Sequence, residues 1–249
     1  MFGALFNEPR VLVIQHTDRA PGGNFCRGLE ARGARLFYLN PMEKDRIPQT
    51  SDGYDGLVVL GGSQHAFDDV TSPHFPALMD LMRLFDDKKK PVAGICLGCQ
   101  LLARAYGGRV WTLDSMEFGF IQHGVTEAGM LDPVIGGLEL PELMEFHEDS
   151  FDLPPRASLL VRGDRCANQC FRVGHASFGF QFHLEADTAI IRRWVDLFRN
   201  GAFVDYRRHL QHFDDAYFED FSGRIASRIT GSERFCHRVT GRWLALIRQ

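Results

Sequence analysis

Val92-Ala93-Gly94-Ile95-Cys96-Leu97-Gly98-Cys99-Gln100 is an apolar strand that runs straight into a helix-forming stretch, with a cysteine at the corner. Such a turn forces the corner residue into a strained backbone, and glycines two before and two after it remove side chains that would collide. The spacing predicts a nucleophile elbow, with the Cys96 sulfur above the sheet edge and the following helix N-terminus aimed at it. Free N–H groups and the positive helix dipole there favour a thiolate and, later, an oxyanion. The plain alternative is a buried cysteine at the strand–helix junction of an ordinary α/β protein.

Upstream, Val11 to Gln15, Leu36 to Leu39 and Leu57 to Leu60 read as strands. Gly28 to Gly33 reads as part of a short helix. Phe75 to Phe85 reads as an amphipathic helix, with Leu78, Leu81, Met82 and Phe85 at helical spacing. This β-α-β-α-β alternation predicts an α/β fold with a doubly wound, mostly parallel sheet and a site at the strand carboxyl ends. From Arg109 to Val173 the pattern changes to short strands, with Phe118 to Val125, Ser158 to Val161 and Cys170 to Val173 the clearest. These are expected as antiparallel edge strands on the main sheet. From Asp187 onward three apolar stripes predict helices, punctuated at Asn200-Gly201 and Gly231-Ser232. The organisation expected is a domain over 1–200 with a helical C-terminal extension over 201–249 packed on it.

Two more segments bear on chemistry. Gly179-Phe180-Gln181-Phe182-His183-Leu184-Glu185 is strand-like, so period-two spacing would put His183 and Glu185 on one side. A cysteine nucleophile needs a nearby base, and the base a third group to orient it. Taken alone, His-x-Glu at a strand end reads as a surface pair; beside the elbow it reads as base and orienting acid. Gly56-Leu57-Val58-Val59-Leu60-Gly61-Gly62-Ser63 is a buried strand ending in a double glycine. Its backbone N–H groups, joined by that of Leu97, could bind an oxyanion; alone it would be a plain βα turn.

These three segments, in this order, resemble a class I (triad-type) glutamine amidotransferase domain. The similarity continues through Leu101 to Gly108, Glu117-Phe118-Gly119 and Asn168 to Arg172. Within that family the chain looks most like the free-standing branch related to the GMP synthase glutaminase domain and to γ-glutamyl peptidases. The resemblance implies a flavodoxin-like fold of the family's type, with Cys96, His183 and Glu185 as the triad and Gly62 and Leu97 as the oxyanion hole. It also implies substrate contacts from Gly61, Gln100, His147, Asp149 and Ser150. Glu148 stands where relatives usually have glycine, adding bulk and charge. Ser63-Gln64-His65 departs from the usual continuation after the double glycine, and His65 reads as a residue that shapes the pocket.

The reaction implied is attack of Cys96 on the side-chain amide of glutamine or of a γ-glutamyl compound, through a γ-glutamyl thioester and without a cofactor or metal. Ammonia could pass to a separate synthetase or acceptor-binding subunit; the other enzyme reading is a stand-alone γ-glutamyl hydrolase. A non-catalytic binding or regulatory module is the reading from another class.

Composition fits a globular chain. Its 249 residues are 45% hydrophobic and 24% charged, with a net charge of −4 and acids and bases interleaved, which leaves no footprint for nucleic acid or an anionic membrane surface. No segment approaches the roughly 20 apolar residues of a membrane span. The apolar start, Met1 to Phe6, is broken too soon for a secretory core, so a cytoplasmic location is expected. Of the six cysteines, Cys96-x-x-Cys99 and Cys166-x-x-x-Cys170 have zinc-ligand spacing, but a closed site would consume the nucleophile. Reduced thiols are expected.

Overall fold

The computed structural model describes residues 8–43 and 45–247. The apolar start Met1 to Phe6 lies outside them. In chain order the elements are β1 (Arg10–Ile14), α1 (Gly23–Glu30), β2 (Arg35–Leu39), β3 (Gly56–Val59), α2 (Phe75–Asp87), β4 (Val92–Ile95) and α3 (Leu97–Ala105). The middle of the chain contributes β5 (Val110–Ile121), β6 (Gly124–Val125), α4 (Glu127–Leu131), β7 (Leu143–Phe151), β8 (Ser158–Arg162), β9 (Asn168–Val173) and β10 (Ser177–Phe180). Helix α5 (Thr188–Arg199), a 3-10 strap (Val204–His212) and the 32-residue α6 (Asp215–Leu246) follow.

Eight strands form the main sheet in the order β2-β1-β3-β4-β10-β9-β8-β6. The first five are mutually parallel, and β9, β8 and β6 extend the sheet antiparallel. One face is covered by α1 and the end of α6, where Phe25, Leu29, Val239 and Trp243 are buried against Val11, Val13 and Val58. The other face is covered by α2 and α3, which bury Leu78, Met82, Phe85 and Leu101 against Leu12, Leu57 and Val59. Apolar burial on both faces of central strands holds a parallel sheet together, and it is the doubly wound arrangement that the β-α alternation predicts. Among the described residues no helix is long and apolar enough to cross a membrane.

Three expectations need correction. Strands β5 and β7 do not join the main sheet; they pair with each other as a separate antiparallel ribbon, bulged between Thr112 and Glu117. The strand expected over Phe118 to Val125 is therefore divided between two sheets. Strand β7, unforeseen because its sequence is so rich in acids and histidine, is buried along all nine residues. Lastly, α6 passes unbroken through Gly231-Ser232. A Cβ at Gly231 would lie 3.1 Å from Pro141 Cβ, so this glycine admits the close approach of the Pro141 segment instead of ending the helix.

Ribbon, α5, strap and the first half of α6 enclose a third apolar cluster, in which Phe118, Phe146, Trp194, Phe198, Phe203 and Phe221 are buried. It sits beside the carboxyl ends of the parallel strands.

Candidate active site

Cys96 caps the N-terminus of α3 with φ +51° and ψ −108°, a left-handed backbone that L residues rarely adopt. The flanking glycines are sterically required. A Cβ on Gly94 would come 2.3 Å from the Gly98 carbonyl oxygen, and one on Gly98 would come 2.1 Å from that of Val59. The Cys96 N–H donates to the Phe180 carbonyl at 2.8 Å, locking the corner to β10.

His183 and Glu185 lie beyond the end of β10, in a turn and not on a strand, so the period-two argument for their shared direction does not apply. They meet nonetheless: His183 Nδ1 is 2.7 Å from Glu185 Oε1, and both side chains are buried. Tertiary anchors replace the missing ladder. The His183 N–H donates to the Met144 carbonyl of β7 at 2.8 Å, and the Asn24 N–H at the start of α1 donates to the Glu185 carbonyl at 2.7 Å. With Nδ1 committed to Glu185, the other ring nitrogen is left free to serve Cys96, which lines the same cleft. Burial disfavours a charged imidazole, but the charges of Glu185 and Cys96 outweigh it and hold the His183 pKa well above 6.5.

The double glycine completes this corner. A Cβ on Gly61 would contact His183 Cε1 at 3.4 Å and Cys96 Cβ at 3.6 Å; one on Gly62 would strike Leu97 Cδ2 at 2.8 Å. Leu97, first residue of its helix, has an N–H with no intrahelical acceptor. Gly62, Cys96 and His183 together line one cleft.

A class I glutamine amidotransferase family model matches residues 22–191, more than half of the chain. The chain belongs to the class I glutamine amidotransferase family. It is thus an enzyme of the glutamine amidotransferase and hydrolase kind. It is 29% identical over 180 residues to the glutamine amidotransferase-like protein YfeJ of Salmonella typhimurium, covering 71% of this chain and 75% of that protein. With γ-glutamyl peptidase 3 of Arabidopsis thaliana it shares 30% identity over 160 residues, 62% of this chain and 64% of the peptidase. The crystal structure of a glutamine amidotransferase from Thermotoga maritima superposes with a TM-score of 0.82 over 95% of this chain and 98% of that one. At 21% identity this last likeness is one of fold.

Of the residues expected to contact substrate, Gly61 abuts Cys96 and His183, whereas the side chains of Gln100, His147, Asp149 and Ser150 are not among those lining the cleft and engage other residues. Gln100 Nε2 donates to Gln181 Oε1 at 3.1 Å and to the Asp149 carbonyl at 3.3 Å. Asp149 accepts from Thr112 Oγ1 at 2.8 Å and lies 2.9 Å from His65 Nδ1, while Ser150 Oγ is 3.3 Å from Cys166 Sγ. His147 Nε2 is 3.0 Å from Glu117 and 3.1 Å from Glu145. Burial works against its charge, but these carboxylates prevail and hold its pKa well above 6.5. All four side chains are buried in this polar network, which explains how so acidic a strand as β7 can be interior. Two groups within it have metal-ligand types close together, Glu117-His147-Cys166 and His65-Glu148-Asp149. Neither uses Cys96, Cys99 or Cys170, and in each the side chains already engage one another. All six cysteines are free and buried.

What lines the cleft instead is Ser63, from the segment that departs from the usual continuation after the double glycine, with residues that the sequence reading passed over as site residues: Thr17, Arg19 and Ala20 after β1, Phe146, Trp194, Phe203 and Tyr206. For Thr17, Arg19 and Ala20 a signal existed. They follow a parallel strand at its carboxyl end, where the other site segments also lie.

Proposed function

We propose that Cys96, His183 and Glu185 act as nucleophile, base and orienting acid in hydrolysing the γ-amide of glutamine or of a γ-glutamyl compound. The observation that carries this reading is that His183, hydrogen-bonded to Glu185 at 2.7 Å, lines with Cys96 the one cleft at the elbow. Cys96 Sγ forms a bond to the amide carbon, with its proton held on His183. The oxyanion is received by backbone N–H groups at Gly62 and Leu97. His183 returns the proton to the amide nitrogen as the C–N bond breaks, and ammonia or an amine leaves a γ-glutamyl thioester. Water then attacks, His183 taking its proton; the C–S bond breaks, and glutamate and the thiol are restored.

A second reading, hydrolysis of γ-glutamyl conjugates, is favoured by the aromatic wall of Phe146, Trp194, Phe203 and Tyr206, since a leaving group as small as ammonia needs no such surface. In the first reading the ammonia passes to a separate acceptor-binding subunit.

The deciding experiment measures glutamate and ammonia or amine release from glutamine and from γ-glutamyl dipeptides, with Cys96→Ala as control. Turnover lost in that variant supports the acyl-transfer chemistry, and the preferred substrate selects between the two readings. Turnover that survives Cys96→Ala, or no turnover by the native chain, defeats it.

A further inference from the structure

Arg19 is an exposed cation in the wall of the cleft, four residues before the glycine at which α1 begins. Its backbone is fixed from both sides. Trp194 Nε1 donates to the Arg19 carbonyl at 2.6 Å, and the Arg19 N–H donates to Thr17 Oγ1 at 3.2 Å. The same indole packs edge-on against the His183 ring, centroids 4.7 Å apart, so Arg19 is registered to the proposed base through one rigid side chain.

The guanidinium itself is little engaged. It reaches the Ala202 carbonyl only at 3.4 Å and lies 5.7 Å from the centre of the Phe203 ring. Among the described residues no carboxylate is within ion-pairing distance of it; the neighbouring Asp18 is held by Arg193 at 2.9 Å. Phe146, Trp194, Phe203 and Tyr206 give the cleft an aromatic wall. A planar cation with spare N–H donors, flanked by aromatic faces and held near a nucleophile, is suited to forked recognition of a carboxylate.

We propose that Arg19 is the carboxylate anchor of the cleft, so that this enzyme selects γ-glutamyl compounds whose free carboxylate lies within reach of the scissile amide. The inference rests on the acyl-transfer reading above. The carboxylate is either the α-carboxylate of the glutamyl group or that of an amino acid on the leaving side. Either source disfavours substrates that present an ammonium group to the same wall, such as γ-glutamyl diamines.

The test is steady-state kinetics of Arg19→Gln and Arg19→Lys on glutamine, γ-glutamylethylamide and γ-glutamylglycine, with thermal melting as a check on folding. Loss of a charge-assisted contact at a solvent-open site is expected to raise KM by about tenfold with kcat little changed, and lysine to restore part of it. An equal rise for all three substrates assigns the α-carboxylate; a rise confined to γ-glutamylglycine assigns the leaving-side carboxylate. Unchanged KM throughout, or a fall in kcat alone, overturns the proposal. Calorimetric titration of γ-glutamylglycine into Cys96→Ala, with and without Arg19→Gln, reads the anchor independently of turnover. Equal affinity in the two proteins, or no binding to either, overturns it even if the triad chemistry holds.

Discussion

Glu148 Oε2 lies 2.6 Å from His209 Nε2 and 2.5 Å from an Arg208 guanidinium nitrogen, so a buried acid on the ribbon latches the 3-10 strap that carries Tyr206, with Phe203 just before it, toward the cleft. A glycine at this position could make neither contact. Glu148→Gln, close in volume but uncharged, is expected to cost about 1–3 kcal/mol of stability and to raise KM several-fold. Limited proteolysis should cut the variant earlier within the strap. A cleavage pattern and a KM equal to those of the native protein would sink the latch.

Glu185 controls how long His183 keeps its proton. Glu185→Gln removes the charge that, against burial, raises the His183 pKa, so the alkaline limb of kcat/KM is expected to move to lower pH, with at least about a tenfold loss at the optimum. The raised pKa also contributes stability that is complete below about 6.5 and is lost as pH rises through the folded value. An unmoved alkaline limb would refute this role for Glu185.

Gly23 is where α1 meets the triad. It has φ +41°, and a Cβ there would come 2.2 Å from the Glu185 carbonyl oxygen. Gly23→Ala is expected to destabilise the fold by about 1–3 kcal/mol and to lower kcat more than it raises KM, because Glu185 must shift. Kinetics and denaturant unfolding check this, and native kcat in a folded variant would contradict it.

His16 provides a pH signature beside the double glycine. Burial, then the charge of His74, lowers its pKa to about 3, and its Cβ would lie 3.3 Å from a Cβ on Gly62. The fold therefore holds it neutral while the unfolded chain takes up a proton below about 6.5. Stability should fall as pH drops from there toward 3, by at most about 1.4 kcal/mol per unit from this residue. His16→Phe, which can keep the edge contact with Phe75, should unfold with a shallower acid-side slope; identical slopes in urea melts would exclude the assignment.

The elbow and the parallel, doubly wound order are legible in the sequence because their causes are local. The collision at Gly94, with the Gly98 carbonyl, is fixed within a few residues of Cys96, although the one at Gly98 is with Val59 of β3; the switch from period 2 to period 3.6 marks β4 and α3 directly. Only the tertiary structure decided the rest. His183 and Glu185 are brought together by β7 and α1 across a turn. The acidic run of β7 is interior because distant residues neutralise it, His209 lying 61 positions from Glu148. Gly231 continues a helix where sequence alone reads a stop, and Arg19 faces the cleft because Trp194, 175 positions away, holds its backbone there. Each of these depends on partners far apart in the chain, and local periodicity carries no record of them.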